Sequence, residues 1–112
     1  MTYTLDSARL NRRITIQRRS TAVDAFGQQT TAWTDFLTCW ASIEPMSGRE
    51  LVAAQAVQSE VTHTLTIRYR PTVTAAMRAL YQGRIFEIRA VHDPETAHVA
   101  LAMMCTEGVS PG

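Results

Sequence analysis

The chain has 112 residues, 46% of them hydrophobic and 19% charged, which suits one domain with a real core and is too short for two. A formal net charge of +1 lacks the basic excess of a general nucleic-acid binder. No apolar run approaches the roughly 18 residues needed to cross a membrane as a helix, so no membrane partner is expected. Met1-Thr2-Tyr3-Thr4-Leu5-Asp6 has neither the basic flank nor the apolar run of a signal peptide, which predicts a reducing compartment.

Residues 1–10 read as an arm, anchored by Leu5 and Leu10 or turned into a short helix. Arg12 to Arg19 follow as a strand, with Ile14 and Ile16 on one face and Thr15 and Gln17 on the other. Its arginines, Arg12, Arg13, Arg18 and Arg19, either bind phosphates or solvate the strand ends and discourage edge pairing. Ser20 to Gln29 form a polar turn region around Asp24-Ala25-Phe26-Gly27.

Trp33 opens the next run. Across Phe36 to Glu44, Leu37, Cys39, Ala41 and Ile43 alternate with Phe36, Thr38, Trp40, Ser42 and Glu44, and Pro45 closes the strand. Trp40 falls opposite the small apolar residues, either as a second hydrophobic layer or as a contact surface for a partner. Cys39, and Cys105 near the end of the chain, sit in apolar strand-like runs. They read as two small buried thiols, not a disulfide.

Met46 to Glu60 is the segment without strand character. Ser47-Gly48-Arg49-Glu50 fits a capping box, and Leu51, Ala54 and Val57 make a weak apolar face. The alternatives are a short helix and a loop that orders on assembly, because three alanines bury little area.

The strongest strand signal in the chain is Thr62 to Arg70. His63, Leu65, Ile67 and Tyr69 share one face; Thr62, Thr64, Thr66, Arg68 and Arg70 share the other; Pro71 ends the pairing. Pro71 to Ala76 is a connection. Met77 to Tyr81 is a strand, Gln82-Gly83 a tight turn, and Arg84 to Val91 the returning strand, with Phe86, Ile88 and Ala90 on one face. His92-Asp93-Pro94-Glu95 turns the chain into a last strand, Ala97 to Thr106, with Val99, Leu101, Met103 and Cys105 aligned. Residues 108–112 form a loose tail.

About six strands at hairpin spacing, with one short helix or long loop inserted, predict an all-β fold: a small antiparallel β-barrel or sandwich. The expected core is Ile14, Ile16, Ile43, Leu65, Ile67, Phe86, Ile88, Val99 and Leu101.

Chemistry is sparse. His63, His92 and His98 lack the spacing of a helical metal site, and there is no C-x-x-C. No serine sits in a G-x-S-x-G context, and the acids are scattered singly. No catalytic, cofactor-binding or metal residue is assigned, and the chain does not read as an enzyme.

In order and spacing, several stretches resemble the phage head–tail joining family of small head-closure, stopper and adaptor proteins. These are Leu10-Asn11-Arg12-Arg13-Ile14-Thr15-Ile16-Gln17, Asp24-Ala25-Phe26-Gly27-Gln28 leading to Trp33, and Cys39-Trp40-Ala41-Ser42-Ile43-Glu44-Pro45. Gly48-Arg49-Glu50, Thr62-His63-Thr64 with Ile67-Arg68-Tyr69-Arg70, Met77-Arg78 and Gly83-Arg84-Ile85-Phe86-Glu87-Ile88 complete the set, which spans residues 9 to 107.

The resemblance implies a structural virion protein at the head–tail interface, assembled in the host cytoplasm. Its partners would be the portal or adaptor and the tail-completion proteins. It would self-associate into a ring, a dodecamer in the particle and a monomer when isolated, that helps close the channel through which DNA passes without sequence-specific binding. By position the channel loop is residues 46–60, with Ser47, Arg49, Glu50, Leu51, Val52, Gln55 and Gln58 as its assembly residues, and Trp40, Arg68 and Arg70 as a further partner surface. The alternative reading is a small barrel that binds single-stranded nucleic acid or oligosaccharide through Trp33, Trp40 and Tyr69 with Arg68 and Arg70.

Overall fold

Six antiparallel strands close on themselves in the order β1-β2-β3-β6-β5-β4 in the computed structural model, which describes residues 5, 7–23, 25–57 and 60–108. The strands are β1 (Arg12–Val23), β2 (Gln29–Pro45), β3 (His63–Arg68), β4 (Arg78–Tyr81), β5 (Arg84–His92) and β6 (Ala100–Gly108). One helix, α1 (Gly48–Val57), lies between β2 and β3. Closure settles barrel over sandwich, and it rests on a short pairing of β1 with β4 through Thr15↔Leu80, Ile16↔Ala79 and Gln17↔Arg78. A closed barrel has no free edge along its wall, so the strand-end arginines are not needed there to prevent edge pairing.

The interior follows the period of two. Ile14, Ile16, Leu65, Ile67 and Phe86 are fully buried, and Ile88 and Leu101 nearly so. Met103 and Cys105 continue the line from β6, and Ala41 and Ala79 supply small contacts. Two expected core residues are only half-buried. Ile43 packs on the core near the end of β2. Val99 precedes β6 and spends its carbonyl on the Tyr69 N–H at 3.1 Å.

Two bulges redirect the alternation. On β2, Ile16 pairs with Leu37 but Gln17 pairs with Asp35, so Phe36 is the extra residue. On β5, Ile88 pairs with Cys105 but Ala90 with Met104, so Arg89 is extra. Past that second bulge the faces exchange, and Val91 joins Phe86 and Ile88 against the core. The expected Phe86–Ile88–Ala90 face therefore breaks at Arg89.

The strand ends also differ from the sequence reading. Half of the polar region Ser20 to Gln29 is strand: β1 runs to Val23, β2 starts at Gln29, and residues 25–28 make the turn. The β-branched Thr21 and Val23 there favour an extended chain. The last strand starts at Ala100 instead of Ala97, because residues 94–96 form a 3-10 turn that Asp93 holds. At Gln82-Gly83 both φ angles are positive, +48° and +82°, the twist that a two-residue hairpin needs. The arm forms a 3-10 turn over Ser7–Arg9 and buries Leu10 behind it. Both cysteines are free thiols, and burial pushes Cys105 up to about 12.

The molecule measures 55 × 26 × 26 Å. The long axis arises because Arg18–Val23 and Gln29–Thr34 pair only with each other, as a two-stranded ribbon beyond the barrel wall. At the opposite end of β2 stands α1. Two poles are thereby separated by the barrel.

Candidate functional site

The helix pole begins where β2 ends. The Met46 N–H donates to the Thr62 carbonyl at 2.9 Å, so the excursion closes at its base, and Met46 and Val61 are buried on either side. Gly48 takes a φ of +58° at the turn into the helix. The capping box does not take the expected form. Ser47 gives its carbonyl to the Leu51 N–H at 3.4 Å, while the Glu50 carboxylate accepts from the Thr64 hydroxyl on β3, also at 3.4 Å. Gln55 donates to the Val61 carbonyl at 3.0 Å.

No described side chain of α1 is buried. Ser47 before it and Arg49, Glu50 and Gln55 within it are exposed, Val52 is 72% exposed, and Leu51 and Ala54 are half-buried. Gln58 lies outside the described residues. Between the helix and the wall is a gap of about 410 Å³ lined by Met46, Ala53, Ala54, Thr64, His92 and Met104. The helix thus stands over an apolar gap without filling it.

Close to the gap, an ionic group closes the end of β6. Arg84 donates twice to the Glu107 carboxylate, at 2.8 and 2.9 Å, and this holds Glu107 below its ordinary range. His63 lies 3.7 Å from Glu107, accepts or donates at Thr62 Oγ1, and meets the Phe86 ring edge-on. Burial pulls His63 below its usual 6.5; Glu107 opposes that and Arg84 adds to it.

At the other end of β3, the structure brings the three proposed partner-surface residues together. Trp40, half exposed, and Arg68 and Arg70, both exposed, line a pocket of about 280 Å³ with Leu10, Arg13, Thr38 and Cys39. Arg13 pairs with Trp40 across the β1–β2 ladder, and its guanidinium lies 5.4 Å from the indole centroid. Burial raises the Cys39 thiol, and the neighbouring Arg70 and Arg13 charges partly offset it.

Sequence reasoning missed Arg13 and Cys39 as members of this pocket. The register places them, since Trp40 has no partner in sequence that announces itself. It also missed the stacks along the ribbon. Arg19 lies 5.0 Å and Arg78 4.3 Å from the Trp33 centroid, and Arg18 lies 5.1 Å from Phe36. Every cationic side chain here is arginine, with no lysine in the chain, and flat guanidiniums stack on rings where an ammonium would not. This bears on the nucleic-acid alternative. Trp33 and Trp40 already carry arginines, so a base could stack there only by competing with them. Among the described residues no group of three or more His, Cys, Asp or Glu side chains could hold a metal ion. No described helix is long and apolar enough to cross a membrane.

The described surfaces are an exposed helix at one pole and an arginine–aromatic pocket and ribbon at the other. The sequence pattern of the phage head completion proteins matches residues 5–108. The chain is 28% identical over 81 residues to the head completion protein gp16 of Bacillus phage SPP1, covering 72% of each. The solution structure of the Shigella flexneri 2a protein SF1141 superposes with a TM-score of 0.79 at 30% identity, covering 95% of this chain and 99% of that one. A chain from the virion of a native gene transfer agent particle shares the fold, with a TM-score of 0.62 at 20% identity over 91% and 98%. With nearly its whole length matched, the chain belongs to the phage head completion protein family, structural β-barrel proteins of the virion.

Proposed function

We propose that this head completion protein forms a ring, a dodecamer in the particle, that joins the portal or its adaptor to the tail and helps close the DNA channel after packaging. Residues 46–60 face the channel in this reading, and DNA passes them without sequence-specific binding. The observation that carries it is α1: ten residues, none with a buried described side chain, standing over an apolar gap. A helix of this length is marginal in water unless it packs on something, so its exposed side asks for neighbours. In a ring those neighbours are the adjacent copies around the channel. Arg49, which has no ion pair or hydrogen bond within the described residues, is the cation placed toward DNA.

Deleting Val52 to Gln58 tests this. The variant should melt with the parent, because the barrel wall does not depend on those residues. Particles built with it should lose packaged DNA or fail to join tails. Parental DNA retention and tail joining would refute the channel assignment. Cryo-imaging of particles carrying labelled protein tests the connector role itself, which fails if the label lies away from the head–tail junction.

A further inference from the structure

β2 and β3 part at Trp40. The β1–β2 ladder runs from Arg12↔Ala41 out to Val23↔Gln29, but the β2–β3 ladder ends at Ala41↔Ile67. Past Ile67 the chain stays with β6 instead: Arg68 pairs with Ala100, and the Tyr69 N–H donates to the Val99 carbonyl at 3.1 Å. The side of β2 that faced β3 therefore carries no strand from Trp40 back to Gln29, and no described loop makes a backbone hydrogen bond to it. An unpaired strand edge is a template for another extended chain, and proteins commonly guard it with charge or proline. Leu37 to Trp40 has neither.

Cations line the place where the strands part. Arg13 faces Trp40 across the ladder, and Arg68 is the first residue past the last β2–β3 pair. With Arg70 and Thr38 they line the pocket of about 280 Å³, and no carboxylate lines it. Within the described residues Arg68 and Arg70 have no ion pair or hydrogen bond, not even with Glu95 on the neighbouring turn between β5 and β6. Arg13 lies over Trp40, and a stacked guanidinium keeps its in-plane donors.

Three guanidiniums without a counter-charge call for an anion, and the surroundings of the pocket select which kind. Asp35 and Glu44, both exposed, stand on either side of Trp40 along β2. A phosphate backbone running along β2 would meet both carboxylates. A polypeptide can place one or two acids between them and pair its own amides with the bare side of β2, which a nucleic acid cannot do. A second copy offers no such segment. None of the ten acids of this chain is adjacent to another, and the closest two in sequence, Asp93 and Glu95, belong to a 3-10 turn where Glu95 takes a strained φ of +57°.

We propose that the bare side of β2 at Leu37–Trp40 takes an extended, acidic segment of a partner protein as an added strand, with its carboxylates on Arg13, Arg68 and Arg70. The inference rests on the connector reading above, which makes the partner a neighbouring head or tail protein.

The test is photocrosslinking in assembled particles, with the protein supplied in trans. Thr38, exposed on β2 and part of the pocket wall, is replaced by p-benzoylphenylalanine, and the adducts are sequenced by mass spectrometry. The expected adduct is a segment of another head or tail protein with two or more acids within a strand length of about six residues. R68E/R70E in the same background should cut the adduct by about tenfold or more, as like charges then meet at the contact. Because both arginines are exposed, that variant should melt with the parent, which separates a docking defect from a folding one. A synthetic peptide of the captured segment should slow amide exchange in residues 37–40 of the isolated protein.

An adduct with DNA, with a second copy of this chain or with a segment lacking acids overturns the proposal. So does the absence of any adduct, or one that survives R68E/R70E. Peptide binding that leaves the amides of residues 37–40 exchanging as before also overturns it, because no strand has then been added. Wild-type protein located away from the head–tail junction defeats the connector reading. Protein at the junction without an acidic adduct defeats only this assignment.

Discussion

β2 leaves the barrel wall at both ends, and its two excursions are held by different forces. At its start, Gln29–Thr34 pairs with Arg18–Val23 in a ribbon with no core beneath it. The backbone ladder, the Ser20 hydroxyl on the Ala32 carbonyl and the Thr34 hydroxyl on the Arg18 carbonyl tie the two strands. Arginines stacked on Trp33 and Phe36 stiffen the base. At its other end the chain makes α1, whose backbone bonds are internal and whose apolar residues are half alanine. An isolated two-stranded ribbon is marginal, as is a ten-residue helix. The ribbon recovers stability from flat cations on rings. The described helix has no such stacks; Met46 and Val61 hold it at its base, and Glu50 and Gln55 tie it to Thr64 and the Val61 carbonyl. The difference marks the helix as the element most dependent on another molecule.

The barrel wall is the reference against which both excursions are measured. Ile67, fully buried on β3, should cost about 2–5 kcal/mol when cut to alanine, read from urea unfolding. A loss well under that range would mean that the wall is not the common foundation. Next in size is the ribbon. Trp33→Ala removes the stacks of Arg19 and Arg78 and uncovers Arg78, leaving its bond to Gln17 at 2.9 Å. The expected loss is about 1–2 kcal/mol, with faster amide exchange in residues 18–20. Unchanged exchange there would show that the ladder alone orders the ribbon.

The helix should respond least to substitution. Val52→Ala should shift stability by no more than about 0.5 kcal/mol in the isolated protein, since the side chain is 72% exposed. Amides of residues 51–56 should exchange well before those of residues 65–67. Equal protection would place α1 within the barrel's cooperative unit and erase the contrast.

The smallest expected effect is with pH, at the helix pole. His63 and Glu107 both titrate lower in the folded chain than their ordinary values, His63 by burial and Glu107 by the Arg84 hydrogen bond. The folded state then binds fewer protons than the unfolded one, and stability rises with pH. Their contribution is complete above about 6.5 and is lost as pH falls, through His63 first and Glu107 later. Arg84 and Glu107 are both more than a third exposed, so solvent screens the pair and the effect stays modest. NMR titration of Glu107→Gln should move the His63 midpoint lower still, because Glu107 opposes its shift. A higher midpoint would contradict that sign.

Much of the wall was legible because its residues obey a short-range rule. His63 to Arg68 alternates and stops before Pro71; Gln82-Gly83 turns with two positive φ angles; and the helix formers after Leu51 made a helix one of the two readings of residues 46–60. The expected Phe86–Ile88–Ala90 face fails at Ala90 and Val91 takes the core side, because one extra residue at Arg89 exchanges the faces, and nothing in the composition of the strand announces a bulge. The tip of the ribbon was read as turn for a related reason: its sequence, Ser20 to Val23 and Gln29, is mostly polar and carries no apolar rhythm. The candidate surfaces were legible in part. Trp40, Arg68 and Arg70 could be named as exposed strand residues, but their meeting in one pocket with Arg13 depends on register between strands far apart in the chain.

The sequence by itself determined the all-β class, a count of about six strands, a non-strand insertion over residues 46–60 and the family, because alternation, turn residues and motif order act over a few neighbours at a time. Only the tertiary structure decided closure of β1 on β4, the two bulges, the pocket and the strained turn at Glu95. Those depend on which backbone donors and acceptors meet across the barrel, and inter-strand hydrogen bonding selects that pairing after the local rules have been satisfied.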